Sequence, residues 1–348
     1  MVAETKKAPA VVATAATALV AAVVVAAMVA VSGAVLGVAL LVALPAAAQS
    51  GASKPIRIIV PFAPAGSSDV LARVLQAPLQ QELNQTVIVE NRAGAGTNIG
   101  TSEVARADAD GYTLLLTSSA FVVNPALYKT IPYDPFKDFI PIAALPVAPN
   151  VFVTKAGGNI ASLSDLLARA KASPQSLNYA SPGNGTTPQL TMELFKLKAG
   201  IDVTNIAYNG GGPATQALLT GTVDILSTAL PGAQAQVRGG AMTGIAITTR
   251  QRWSNLPNVP TFIELGYPDI TLTTEHFLLA PAGTPADIVA HYAKAVQAIM
   301  ARDELKEKIR QVGYDPIFGD PNAAQQVIAR DVPFFKDLVS TAKIPQIQ

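Results

Sequence analysis

The sequence predicts an α/β protein of two similar lobes with mostly parallel sheets and a ligand cleft between them. Three observations carry this. The stretch Ile56–Asp69, IRIIVPFAPAGSSD, reads as a buried strand over Ile56–Phe62, a loop with two prolines and a glycine, and a helix starting near Ser67. The pattern returns at Leu177–Gly185, LNYASPGNG, where TTPQLTMELF opens another helix. The two units then continue alike, through helix, strand and glycine turn: Thr86–Arg92 before Gly94 and Gly96, and Val203–Tyr208 before Gly210, Gly211 and Gly212. Gly66 and Gly185 lie 119 positions apart and Gly94 and Gly211 lie 117 apart, the near-constant offset of two related lobes.

Each unit offers a helix start. The first N–H groups of a helix have no internal partner, and the dipole favours negative charge there. Gly66 lets the backbone approach a ligand, and Ser67 and Ser68 add hydroxyl donors, so the loop reads as an anion seat. It reads equally as an ordinary turn with a serine N-cap. Two seats on two lobes point to one ligand held between them.

Further elements follow in order. Gly111–Ser119, GYTLLLTSS, is a third strand ending in hydroxyls. Prolines 125, 132, 135 and 141 exclude one long helix across the next stretch. Asn150–Lys155 is a strand leading out of the first lobe, and Ser162–Ser173 carries Leu163, Leu166, Leu167 and Ala170 at helical spacing. Val223–Leu230 and Met242–Thr248 are strands, the latter a route back. Residues 250–270 are turn-rich, and Thr271–Gly283 is a strand with a turn. Pro285–Met300, Glu304–Val312 and Pro321–Ala342 are helices expected to cover the first lobe's sheet. The implied division is 53–152 with 249–348 for one lobe and 153–248 for the other, with two crossings.

Composition narrows the function. A chain of 348 residues holds two ordinary domains. Setting aside Glu4, Lys6 and Lys7, the only charges in residues 1–48, leaves 23 basic against 23 acidic residues and no global field for nucleic acid. There is no cysteine, which excludes disulfides, thiolate chemistry and a lipidated cysteine. His276 and His291 have no second histidine at metal spacing, and no metal or cofactor is expected.

At the N-terminus, Lys6 and Lys7 precede an uncharged Ala/Val/Leu tract from Ala8 to Ala48 that ends PAAAQS. This is the layout of a secretory signal cleaved after Ala48. The tract exceeds the roughly 7–15 residues of a signal core and the roughly 20 that span a bilayer. An upstream mis-called start and a retained anchor are both consistent with that excess.

Catalytic patterns are weak. GAGTNIG, Gly94–Gly100, spaces its glycines one residue too far for a dinucleotide fingerprint. No nucleophile elbow surrounds Ser67, Ser68, Ser118 or Ser181. His276, in TTEHFLL, reads as a polar residue near a strand end, facing opposite Glu275 and Phe277. His291 pairs with Asp287 on a helix surface. Tyr179 and Tyr208, at strand ends, line a cleft or pack. Asp224 takes a ligand ammonium or caps a neighbouring loop. Asp69 is structural: at the third helical position it satisfies backbone donors, whereas a carboxylate aimed into an anion seat would repel the ligand.

Several longer stretches are distinctive: KPIRIIVPFAPAGSSDVLARVL, TVIVENRAGAGTNIGTSEVARADADGYTLLLTSS, NPALYKTIPYDPFKDFIPIA, LNYASPGNGTTPQLTMELFK, VTNIAYNGGGPATQALLTGTVDI and LPNVPTFIELGYP. They resemble the Bug family, the TctC-like solute receptors of tripartite tricarboxylate transporters, over essentially all of residues 53–345. The resemblance implies a type II periplasmic-binding-protein fold that closes on a small carboxylate. It also implies a periplasmic monomer, no enzymatic activity, and transfer of the ligand to membrane permease subunits. It places the carboxylate between the loops Phe62–Asp69 and Ser181–Thr187. The residues expected at the ligand are then Phe62, Ala65, Gly66, Ser67 and Ser68, and opposite them Ser181, Gly183, Asn184, Gly185, Thr186 and Thr187. Ser118 and Ser119 are wall candidates, with Tyr179, Tyr208 and Asp224 as above. The family usually has two glycines where this chain has Ala65–Gly66, and the alanine is tolerated if its φ is negative. It often has Pro-His where this chain has Pro188–Gln189, which puts any contact of that histidine in doubt. A sensor subunit reporting to a signalling partner and an extracytoplasmic hydrolase are the alternative readings.

Overall fold

The computed structural model describes residues 54–348. The signal or anchor expected in residues 1–48 lies outside the described residues.

Strand β1 (Ile56–Val60) leads through the loop 61–66 into helix α1 (Ser67–Leu83), followed by β2 (Val87–Asn91). Helix α2 (Asn98–Ala105), β3 (Thr113–Ser118) and α3 (Ala120–Leu127) complete this part. The 17-residue strand β4 (Phe139–Lys155) then opens the second part. There, α4 (Leu163–Ala172), β5 (Asn178–Ser181), α5 (Thr187–Ala199), β6 (Thr204–Ala207), α6 (Gly211–Thr220), β7 (Ile225–Ala229), α7 (Gln234–Arg238) and β8 (Met242–Ile247) follow. The chain ends with β9 (Thr273–Pro281), α8 (Ala286–Met300), α9 (Asp303–Gln311) and α10 (Pro321–Thr341).

The strands are hydrogen-bonded in the order β2-β1-β3-β9-β4-β7-β5-β6, with β8 also on β4. The parallel expectation holds for β2-β1-β3 and for β7-β5-β6, while β9, β4 and β8 pair antiparallel. Strand β4 joins the lobes: Phe139–Pro149 pairs with β9, and Asn150–Thr154 pairs with β7. The sequence shows only the last third of this strand, because Pro141, Pro146 and Pro149 argue against a ladder. The register shifts between Pro141 and Ala143 and again between Leu145 and Ala148, which takes up prolines that cannot donate.

Alternation along β1 builds the first lobe. Ile56, Ile58 and Val60 face Leu71, Leu75 and Leu79 of α1, while Ile59 faces the cluster of Phe121 and Phe277. The C-terminal helices cover both sides as expected. Val289, Tyr292, Val296 and Ile299 of α8 join the first cluster, and Ile328, Phe335 and Val339 of α10 join the second. Two further clusters, around Phe152, Phe195 and Phe262 and around Val151, Leu218 and Leu226, cover the two sides of the second lobe's sheet. Helix α2 was not legible as a helix. Gly94, Ala95, Gly96 and Thr97 all have positive φ, so the chain coils before the helix begins at Asn98. No helix among the described residues is long and apolar enough to cross a membrane.

Candidate functional site

Three helix starts converge on one cavity: Gly66, Ser67 and Ser68 of α1, Thr186 and Pro188 of α5, and Gly211 of α6. Phe62, Ser118, Pro182, Thr228, Ala229 and Thr274 complete its wall. Among the described residues, no charged side chain lines it. Phe62, Pro182 and Thr186 also border a second compartment, reached by Gly94, Gly96, Thr97, Gly183 and Tyr208. A larger groove opens beside β8 near Leu163 and Val259. Its helix start, α4, is already capped, since Ser162 Oγ accepts from Asp165 N and Asp165 accepts from Ala161 N.

The lobes touch at the cavity through backbone. Ala63 N donates to Asn209 O at 2.7 Å. A Cβ on Gly66 would stand 3.0 Å from Gly211 N, and one on Gly212 would stand 2.2 Å from Pro64 O. Glycine is what lets these two loops meet.

Asp69 points away from the cavity. Its Oδ2 accepts from Ala65 N at 2.9 Å, and its Oδ1 accepts from Asn91 Nδ2 at 2.9 Å and Arg73 Nε at 3.0 Å. Burial raises its pKa, but the Arg73 guanidinium and the Ala65 and Asn91 amides outweigh that and hold the carboxyl below its usual range. Asp69 therefore braces the loop preceding α1.

Ala65 corrects an expectation. Its φ is +66°, not negative, so an L-residue sits in the left-handed region, and its exposed side chain does not line the cavity. Left-handed backbone costs a non-glycine residue about 1–2 kcal/mol. Part of that is offset by the lower chain entropy of unfolded alanine. Ala65→Gly is therefore expected to stabilise the fold by about 0.5–1 kcal/mol, measured as a higher urea midpoint at unchanged slope.

Other expected ligand residues are committed elsewhere. Tyr179 is 0% exposed in the core of the second lobe, and its hydroxyl donates to Glu193 Oε1 at 2.6 Å. Ser181 Oγ donates to Asn205 Oδ1. Ser119 Oγ accepts from Glu275 N, which ties α3 to β9. Asp224 is exposed and accepts from Asn178 N, the capping alternative rather than a ligand contact. Asn184 Oδ1 accepts from Asn205 Nδ2. Gly185, with φ +79°, packs against Asn124 and does not line the cavity. The hydroxyls of the second loop are also taken. Thr186 Oγ1 donates to Gly183 O, and Thr187 Oγ1 donates to Thr274 Oγ1, which donates to Asn150 Oδ1. Thr186 lines the cavity, yet what α5 offers is backbone, with Pro188 removing one N–H.

Gly211, Thr228 and Thr274 line the cavity and His276 lies beneath it, and none of the four is among the residues that the sequence places at the ligand. Gly211 was visible as a glycine turn before a helix; Thr228 and Thr274 carry no local signal. His276 is fully buried beneath Ser67, edge-on to Tyr314, and Tyr314 Oη donates to Ser67 O. The ring nitrogens reach Pro146 O at 3.0 Å and Ser67 Oγ at 3.3 Å. Burial pushes the His276 pKa down to about 4, only partly opposed by the Pro146 carbonyl. A group depressed in the folded state stabilises fully above its unfolded pKa, near 6.5, and loses that contribution as pH falls towards 4. Between pH 7 and 5 this amounts to about 2 kcal/mol. His276→Gln is expected to remove that part of the slope in urea unfolding followed against pH.

The profile of the tripartite tricarboxylate transporter family receptors matches residues 71–343. Protein BugT of Bordetella pertussis is 36% identical over 290 residues, 83% of this chain and 89% of that protein. The structure of R. palustris Rpa4515 with adipate superposes at a TM-score of 0.82 with 30% identity, covering 86% of this chain and 100% of that one. MatC of Rhodopseudomonas palustris with bound malate gives 0.76 with 28% identity, covering 82% and 99%. With the two-lobed fold and the cavity between its helix starts, these matches make the chain a member of the tripartite tricarboxylate transporter receptor family, alongside the Bug proteins.

Proposed function

We propose that the chain captures a small carboxylate between its lobes in the periplasm and delivers it to the permease subunits of a tripartite tricarboxylate-type transporter. The observation that carries this is the convergence of three helix N-termini on a cavity without a charged side chain. Backbone N–H groups and helix dipoles are suited to hold an anion there. The adipate and malate in the two related structures support a carboxylate ligand. The lobes are 53–152 with 249–348, and 153–248, crossing at β4 and again after β8. The protein acts as a monomer, secreted by cleavage after Ala48, and performs no chemistry on its ligand.

Gly66, Ser68, Ser118, Thr186 and Gly211 surround the carboxylate, with Ser67, Phe62 and Tyr208 beside it. Ser68 and Ser118 have no protein acceptor for their hydroxyls among the described residues and are free to donate. A hydrogen bond to a charged partner contributes about 1.5–3 kcal/mol. Calorimetry with malate, adipate and succinate tests the reading. At least one acid is expected to bind, with Ser68→Ala weakening it roughly 10- to 100-fold. Absence of binding by all three, or equal binding by Ser68→Ala, would count against it.

A further inference from the structure

The hydrogen-bond geometry beneath Ser67 determines which way its proton points. His276 Nδ1 stands 3.0 Å from Pro146 O. A carbonyl only accepts, so Nδ1 carries the ring hydrogen. In the neutral ring Nε2 is then a bare acceptor, and Ser67 Oγ at 3.3 Å is its partner and must donate. The opposite tautomer would set the Nδ1 lone pair against the Pro146 carbonyl. A doubly protonated ring would bury a charge, and the pKa near 4 keeps the ring neutral at physiological pH.

Ser67 lines the cavity, so with its only proton turned inward it shows lone pairs to the ligand. A carboxylate oxygen laid against Ser67 would face those lone pairs. Alternatively it would draw the proton outward and leave Nε2 a buried acceptor without a partner, which is destabilising. Ser68, the next residue on the same helix start, lacks that constraint and can donate to the anion. Among the described residues no charged side chain lines the cavity to balance an ammonium, so the donor suited to Ser67 is a neutral hydroxyl.

We propose that His276, acting through Ser67, makes the site select acids with a hydroxyl beside the carboxylate over the same acids without it. This rests on the carboxylate reading of the cavity, and it makes His276 a positioning residue.

The chain has only two histidines, so ¹⁵N-histidine NMR of the full protein resolves the geometry without ligand. His276 is expected as the Nδ1–H tautomer, unchanged between pH 7.5 and about 5.5, with its Nε2 resonance displaced in Ser67→Ala. An Nε2–H tautomer would overturn the proposal. Calorimetry with DL-malate against succinate, and DL-lactate against propionate, reads the selectivity. The wild type is expected to favour the hydroxy acid by about 10-fold in a pair that binds, and Ser67→Ala and His276→Phe to collapse that ratio. A purely structural role would weaken both acids alike and keep the ratio, and that outcome, or a wild-type ratio near one, contradicts the proposal. If neither these four acids nor adipate binds, the carboxylate reading itself fails and the selectivity falls with it, while the tautomer still reports whether His276 holds Ser67.

Discussion

Gly212→Ala is expected to weaken ligand binding by about 10- to 100-fold while leaving the melting temperature of the ligand-free protein nearly unchanged. The new Cβ would stand 2.2 Å from Pro64 O and 3.3 Å from Ala65 Cβ, across the contact between the lobes. A backbone oxygen cannot rotate aside as the end of a side chain can. Overpacking of this kind costs about 1–3 kcal/mol, and the cost falls only on the state in which the lobes meet. Within its own lobe the alanine is tolerated: Gly212 lies in the first turn of α6, its φ is not positive, and the gain in helix propensity opposes the restriction imposed by Pro213. The change therefore separates closing from folding. Calorimetry and thermal unfolding on the same preparation check both halves, and normal affinity would show that the lobes need not meet to hold the ligand.

Asp69→Ala is expected to do the reverse, lowering stability by about 2–3 kcal/mol with affinity changed by less than about three-fold. Asp69 is 3% exposed and holds Ala65 N, Asn91 and Arg73 together. The estimate is kept below that of a fully buried ion pair because the Arg73 side chain is half-exposed. Its lowered folded-state pKa sets the pH dependence. The stabilisation is complete above the ordinary carboxylate pKa, about 4, and is lost as pH falls below that value through the folded pKa. Urea unfolding of wild type and variant should thus differ most at neutral pH and converge in acid. A variant with unchanged stability and lost affinity would place Asp69 at the ligand instead.

The strand–loop–helix units at Ile56–Asp69 and Leu177–Thr187 were legible because strand hydrophobicity, glycine and serine punctuation and a helical run coincide there. So was the return of the C-terminal helices to the first lobe, since their apolar faces need a sheet. Strand β4 was hidden by its prolines, which the fold absorbs through register shifts that depend on β9, more than 120 residues away. Tyr179 and Tyr208 look alike in sequence. They differ because Tyr179 faces the Phe195 cluster and Tyr208 the edge of the second compartment. Whether a hydroxyl in the second loop is free depends on partners such as Thr274 and Asn150, which no local pattern reveals. In the sequence His276 reads as a polar strand end, because the alternation gives its face but not its neighbours. Only the pairing of β9 with β3 and β4 brings it beneath Ser67.

A carboxylate is expected to draw the two lobes together over the three helix starts. The absence of native cysteine allows one direct measurement. Spin labels are placed at Gln80→Cys on α1 and Gln216→Cys on α6, both exposed and on opposite lobes, and the distance between them is followed by double electron–electron resonance during titration with malate or adipate. A shift to a shorter, narrower distance distribution is expected that saturates with binding and is absent at the same acid concentration in Gly212→Ala. Saturable binding with an unchanged distance distribution, or equal shortening in Gly212→Ala, would contradict it.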